Sequence, residues 1–168
     1  MMHLIISMLD TTLCHLIRGR RILLKKATRG VSRGRWNALG GKIDKGESAE
    51  ESAVREVWEE SGIKVGKLER CGTIRFYRGS RRSLFVKMHL FLGTEFEGRG
   101  RHTDEGRLRW FSLGRIPYRE MWDDDNYWLD LFLRGYRFDA DFVYDRGMEK
   151  VVGFEMRNIW KGSSSFKE

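Results

Sequence analysis

Two cysteines and one proline are all that this 168-residue chain carries of those residue types. Cys14 and Cys71 are too few for a disulfide framework, which excludes the small stapled scaffolds of secreted proteins and makes a reducing cytosol the expected compartment. The lone Pro117 excludes proline-rich linkers, and no repeat or low-complexity tract interrupts the chain. No apolar run approaches the ~18–20 residues that a membrane-crossing helix needs, so no membrane partner is expected. The apolar stretch Met1–Leu9 is short and no small-residue cleavage site follows it; it reads as the start of the first strand or as an extra start upstream of Met8. His3, His15, His89 and His102 are scattered without metal-ligand spacing and receive no role. Zinc-finger spacing, a helix-turn-helix pattern and an aromatic RNA-binding strand are all missing.

What the chain has in quantity is positive charge and aromatic mass. Its net charge is +8, with basic clusters at Arg18–Arg21, Lys25–Lys26 and Arg78–Arg82. These fall at expected turns. They read as solvated loop charge that steers a polyanionic nucleotide, with nucleic acid the less favoured partner. Ten Phe, six Trp and 40% hydrophobic residues supply a sizeable core for a single domain over residues 1–168, expected to act as a monomer. Alternation predicts strands at Thr11–Ile17, Ile22–Lys26, Lys67–Tyr77, Leu84–Phe96, Leu108–Leu113, Phe138–Tyr144 and Lys150–Met156. Residues 27–36 read as a loop bearing glycine and arginine, and Gly98–Gly106 as a polar loop. A second helix is expected at Asn126–Arg134, stopped by Gly135. The serine-rich Lys161–Glu168 is expected to fray. Strands with two helices between them predict an α/β sandwich.

The most informative segment runs from Gly41 to Ile63. Ser48 followed by Glu51 is a capping box, and Gly62 suits a left-handed helix end. Glu56, Glu59 and Glu60 fall within a 100° arc of the intervening helix. Ala53, Val54, Val57 and Trp58 cover the neighbouring arc, which is expected to pack on a sheet. Like charges four residues apart repel by a few tenths of a kcal/mol in a bare helix. A glutamate cluster of this density suits a hard divalent cation that keeps several waters and bridges to phosphates.

The spacing Gly41, Glu47, Arg55, Glu56, Val57, Glu59, Glu60, Gly62 and Ile63 resembles the Nudix hydrolase signature at every constrained position. Arg35-Trp36-Asn37 followed by Gly40-Gly41-Lys42 resembles the approach strand of the MutT branch. Met121 to Trp128, with Trp110-Phe111 and Ile116-Pro117, is similar to the oxidised-purine nucleoside triphosphatases (8-oxo-dGTP diphosphatases) of animals. The resemblance covers roughly residues 12–160. It implies a Nudix-type α/β/α sandwich with a mixed central sheet and a catalytic loop–helix–loop.

The resemblance also implies roles. Glu56 and Glu60 would bind Mg²⁺, or Mn²⁺, with Glu59 close by and the Gly40 carbonyl as a further ligand. Glu105 matches a glutamate that joins the metal or water chemistry in some relatives. Arg55 would orient the carboxylates with Glu47 as partner, and one of Glu56, Glu59 or Glu60 would assist the attacking water. Gly41 and Gly62 are structural. Trp122 would stack on a purine, Asp124 and Asp125 would share a proton at its edge, and Asn37 could bond the same ring. Where the sub-family has a pocket aromatic, this chain has Val31, which cannot stack in the same way. Lys42 could reach phosphate. The activity implied is Mg²⁺-dependent hydrolysis of oxidised purine nucleoside triphosphates to monophosphate and pyrophosphate, in the service of nucleotide-pool sanitation. The alternatives are a Nudix hydrolase of another diphosphate (ADP-ribose, a dinucleoside polyphosphate, capped RNA) and a non-catalytic Nudix-like binding module.

Overall fold

A computed structural model describes residues 7–167. The reading of Met1–Ile6, His3 included, and of Glu168 lies outside them. The chain forms strands β1 (Leu9–Arg18), β2 (Arg21–Ala27), β3 (Trp36–Asn37), β4 (Lys64–Arg78), β5 (Leu84–Glu97), β6 (Gly106–Ser112), β7 (Tyr136–Tyr144) and β8 (Val151–Lys161). Helix α1 (Ala49–Ser61) lies between β3 and β4. Helix α2 (Asp125–Leu133) follows β6 and a short 3₁₀ turn at Tyr118–Glu120.

The strands make one mixed sheet in the order β3-β2-β1-β5-β4-β7-β8, with β6 also paired to β2. The β1–β5 and β4–β7 pairs are parallel and the rest antiparallel. Both faces of the sheet are covered, which explains the near-continuous apolar runs in its central strands. Period-two alternation sends neighbours to opposite cores. Leu13, Ile22, Leu24, Leu90 and Leu92 join Trp128, Leu129 and Phe132 of α2. Cys14, Leu16, Leu23 and Phe91 join Ala53 and Val57 of α1. The expected α/β sandwich is the observed one. Among the described residues no helix is long and apolar enough to cross a membrane. Both cysteines are buried and unpaired, and desolvation pushes each thiol up to about 12.

Expected strand ends shift by a few residues. The largest difference is β8, which runs on to Lys161, five residues past the expected Met156. The tail beyond it does not hang free as expected. The Gly162 N–H donates to the Gly135 carbonyl at 2.7 Å and that of Phe166 to the Leu133 carbonyl at 2.8 Å. Fully buried Arg137 anchors the same stretch through Glu69 (3.0 Å) and the Ser164 carbonyl (3.3 Å). Serine-rich composition signals fraying only where no partner waits, and here the end of α2 supplies carbonyls.

His15 is sealed in the core. Its ring lies 4.7 Å from Phe132 and 5.6 Å from Trp128, and its Nδ1 has no hydrogen-bond partner among the described residues. Burial, reinforced by Arg137, pulls its pKa down to about 3. The folded state therefore refuses a proton that the unfolded chain accepts near pH 6.5. Stability from this residue is present above pH 6.5 and is lost as pH falls toward 3, by up to ~1.4 kcal/mol per pH unit. His15→Phe, which fills the same aromatic slot, is expected to flatten that loss. Denaturant titrations at pH 7 and pH 4.5 check this, and identical pH slopes for both proteins contradict it.

Candidate active site

The site grows from the segment joining β3 to α1. Residues 39–43 run antiparallel to β1: the Leu39 carbonyl accepts from the Cys14 N–H at 2.6 Å, the Gly41 carbonyl from Thr12 at 2.8 Å. The approach is so close that a Cβ on Gly40 would lie 2.0 Å from the Thr12 carbonyl oxygen. One on Gly41 would lie 2.5–2.7 Å from the three carboxyl atoms of Glu56. Only glycine leaves room there for the Glu56 carboxylate.

Helix α1 begins with the full capping box of Ser48 and Glu51, and Gly62 ends it at φ 70°. Its buried face differs from the expected one. Ala53 and Val57 are buried, but Val54 and Trp58 are exposed, and Glu60 is only 2% exposed. The helix is rolled so that Ala53, Val57 and Glu60 face the sheet. Trp58 lies outside, with the Lys64 ammonium 5.7 Å from its ring. The roll follows from what waits beneath. Lys25 of β2 forms an ion pair with Glu60 and the Gly40 N–H donates to its other oxygen at 3.0 Å, so the carboxylate enters with partners.

Arg55 organises the remaining acids. Its guanidinium grips Glu47 with two bonds (2.7 and 3.0 Å) and reaches Glu56 (2.9 Å), Glu59 (3.1 Å) and the Lys42 carbonyl (3.1 Å). It holds the Glu47 carboxyl down to about 2. Burial raises Glu56 despite Arg55, and pushes Glu60 up to about 7 despite Lys25. Glu59 is half exposed. Glu105 pairs with Arg29 at 2.6 Å, and its charge is one of those that raise Glu56. The Lys42 side chain is exposed and only its carbonyl is engaged.

Asn37 links this helix to a second feature, a cavity of 960 Å³ on the other face of the sheet. Asn37 lines it, and its Oδ1 caps the Ala38 N–H at 2.9 Å. Trp122, Asp124, Asp125 and Val31 line it too, so the residues of the expected purine pocket do converge. Val31 is 90% exposed on its loop. The Arg35 guanidinium lies 4.3 Å over the Trp122 ring, whose Nε1 donates to Ser32 Oγ at 3.2 Å. Asp124 and Asp125 are both buried, and burial raises both carboxyls, Asp125 well above the ordinary range.

The sequence reading passed over three residues that the structure places here: Lys25, Arg35 and Tyr144. Signals existed for two. Along β2, Lys25 shares a face with buried Leu23, so alternation alone puts a cation on the α1 side. Along β7, Tyr144 ends the inward row Phe138, Ala140, Phe142, and a buried phenol requires a partner.

The residues present fit a divalent cation. As they stand, no three His, Cys, Asp or Glu side chains among the described residues close on one point. The donor set is nonetheless made of hard carboxylate oxygens. Glu56 occupies a cradle cleared by Gly41, Glu60 is already charge-paired in a buried place, and the Gly40 carbonyl takes no hydrogen bond among the described residues.

Fold and site together define a class: α/β sandwich proteins with an acidic loop–helix–loop on one face of a mixed sheet and a cleft on the other. Comparison with known proteins agrees. The NUDIX domain family matches residues 8–132. The chain is 35% identical over 149 residues to the oxidized purine nucleoside triphosphate hydrolase of Mus musculus, covering 88% of this chain and 94% of that protein. The protein of the same description from Danio rerio is 35% identical over 148 residues, with the same coverage of both chains. A MutT protein from Bacillus halodurans superposes with a TM-score of 0.77 at 25% identity, covering 89% of this chain and 97% of that one. This chain belongs to the Nudix family.

Proposed function

We propose that this chain is a cytoplasmic, monomeric, single-domain hydrolase that converts purine nucleoside triphosphates, oxidised ones above all, to monophosphate and pyrophosphate. The observation that carries the reading is the convergence of Trp122, Asp124, Asp125 and Asn37 in one cleft, joined through residues 37–41 to Glu60. Relatives described as oxidized purine nucleoside triphosphate hydrolases, alike over nearly their whole length, support it.

Glu56 and Glu60 would hold Mg²⁺ or Mn²⁺, with the Gly40 carbonyl, Glu59 and Glu105 in reach of the same region. Bound there, such an ion neutralises phosphate charge and lowers the pKa of a water. Every other task belongs to side chains. Arg55 fixes the directions of Glu47, Glu56 and Glu59. One of the helix glutamates accepts a proton from the attacking water. Trp122 stacks on the base, while Asp124, Asp125 and Asn37 bond its edge and keep the triphosphate pointing toward α1. Lys25, whose backbone pairs with Asn37 and whose ammonium meets Glu60, stands where cleft and acids join. The basic surface raises the encounter rate with a polyanion.

The test is a pyrophosphate-release screen over dGTP, 8-oxo-dGTP, dATP, 8-oxo-dATP, ADP-ribose and capped RNA, with Mg²⁺ and with chelator. An oxidised purine triphosphate is expected to lead its unoxidised parent by about tenfold or more in kcat/KM, a margin within reach of polar recognition at one edge. Activity should vanish with chelator. A preference for ADP-ribose or capped RNA, or turnover that survives chelation, overturns the reading.

A further inference from the structure

The two buried carboxyls at the start of α2 are not equivalent. Asp124 Oδ1 accepts a short hydrogen bond from the Tyr144 hydroxyl, and Oδ2 accepts from Trp128 Nε1 at 2.8 Å. Both bonds run toward Asp124. An indole N–H can only donate. The Tyr144 oxygen accepts from the Asp124 backbone N–H at 2.9 Å while its own proton is directed at Oδ1. Both oxygens of Asp124 are therefore acceptors. Asp125 lines the same cleft and is 3% exposed; no side chain among the described residues donates to its carboxyl, which meets only the Trp122 backbone.

Two adjacent carboxyls shut away from water cannot both be ionised. The one with two side-chain donors keeps the charge; the one with only a backbone contact takes the proton. The other groups that bear on the pair leave this order intact. Asp123 is engaged with Lys150 (3.2 Å) and the Val151 N–H (2.8 Å). Arg35 is held over Trp122, and Tyr118 is a neutral phenol whose own ionisation burial, Asp130 and Asp125 oppose.

We propose that Tyr144 determines base specificity: its hydroxyl, with the Trp128 indole, fixes Asp124 as the acceptor and Asp125 as the O–H donor, so the cleft reads a purine edge in one donor–acceptor order. The inference rests on the base binding in this cleft. An Asp125 donor beside an Asp124 acceptor matches an exocyclic oxygen next to a ring N–H, the edge of a 6-oxo purine. A 6-amino purine offers the reverse order, a donor and then a ring-nitrogen acceptor. Reading it would require the proton to move to an Asp124 oxygen that already receives a donor. Turning the base over is no escape, because the sugar and triphosphate must still point toward α1. Tyr144 is a positioning residue in this scheme, acting on the base through Asp124.

Tyr144→Phe keeps the ring and removes the hydroxyl. It is expected to lower the ratio of kcat/KM for 8-oxo-dGTP over 8-oxo-dATP by about five- to tenfold, one hydrogen bond's worth. The change should appear in KM, with kcat for 8-oxo-dGTP held within about twofold, because the bond lies outside the reacting atoms. An unchanged ratio, or equal losses on both substrates, overturns the proposal. A second measurement needs no turnover. Infrared spectra of the ligand-free protein should contain the carbonyl band of a neutral buried carboxylic acid, lost in Asp125→Asn and kept in Asp124→Asn. The opposite assignment overturns the proposal even where Tyr144→Phe fails to fold. If the wild type hydrolyses no purine triphosphate, the proposed function fails by itself, and the infrared band, compared between wild type and Tyr144→Phe, still decides whether Tyr144 holds the proton on Asp125.

Discussion

Glu60→Gln is expected to lower pyrophosphate release by about 10³-fold or more, equivalent to ~4 kcal/mol of transition-state stabilisation. Of the three clustered glutamates, Glu60 alone is fully enclosed, and it alone is held by both β2 and the Gly40 backbone. The amide keeps the shape and can still accept from the Gly40 N–H. What it removes is the negative charge that a divalent cation and Lys25 both require. The same change leaves the Lys25 ammonium, 12% exposed, without its carboxylate, and an orphaned buried charge costs about 3–5 kcal/mol. Lost activity could then be confused with lost fold. The double variant Lys25→Met, Glu60→Gln separates them, because it removes both charges together and should regain most of the stability but none of the turnover. Thermal unfolding by circular dichroism and Mn²⁺ binding by electron paramagnetic resonance give the two readouts. Wild-type turnover in a folded Glu60→Gln protein would remove Glu60 from the metal site.

Arg55→Lys is expected to weaken Mn²⁺ binding by about 10–100-fold and to lower kcat/KM in step. Lysine keeps the charge and loses the fork. The guanidinium bridges Glu47, Glu56, Glu59 and the Lys42 carbonyl, four groups around one plane, all at 2.7–3.1 Å. A single ammonium cannot span them. Without the bridge, Glu56 is free to swing out of the space beneath Gly41, and the loop carrying Glu47 loses its tie to the helix. The fold should persist, since Arg55 is part-exposed and the helix keeps its capping box and its Ala53–Val57 core. A rate loss with unchanged Mn²⁺ affinity would mean that Arg55 acts on substrate directly and does not organise the acids.

Much of this was legible along the chain because it is local. The capping box, the glycine stop and the three-and-four spacing of Glu56, Glu59 and Glu60 are properties of one helix, and α1 forms where they place it. Alternation located seven of the strands. Two-residue β3 was read as a strand only through the family resemblance, for a strand that short has no period to detect. The choice of buried face was misread at Val54 and Trp58. Apolar content alone favoured them, but a carboxylate that meets an ammonium and an N–H can go inside while an indole stays out. Composition likewise misjudged the tail, whose anchors on α2 and Arg137 are distant in sequence.

The amino-acid order by itself determined the family, the acidic helix and the residue types from which a metal and nucleotide site could be built, since each depends on spacing within a few turns of chain. Only the tertiary structure decided the roll of α1, the meeting of Lys25 with Glu60, and the two donors that Tyr144 and Trp128 direct at Asp124. The reason is physical: those contacts join separate elements through a sheet buried on both faces, and pairing across such distances is set by the packing of the whole chain.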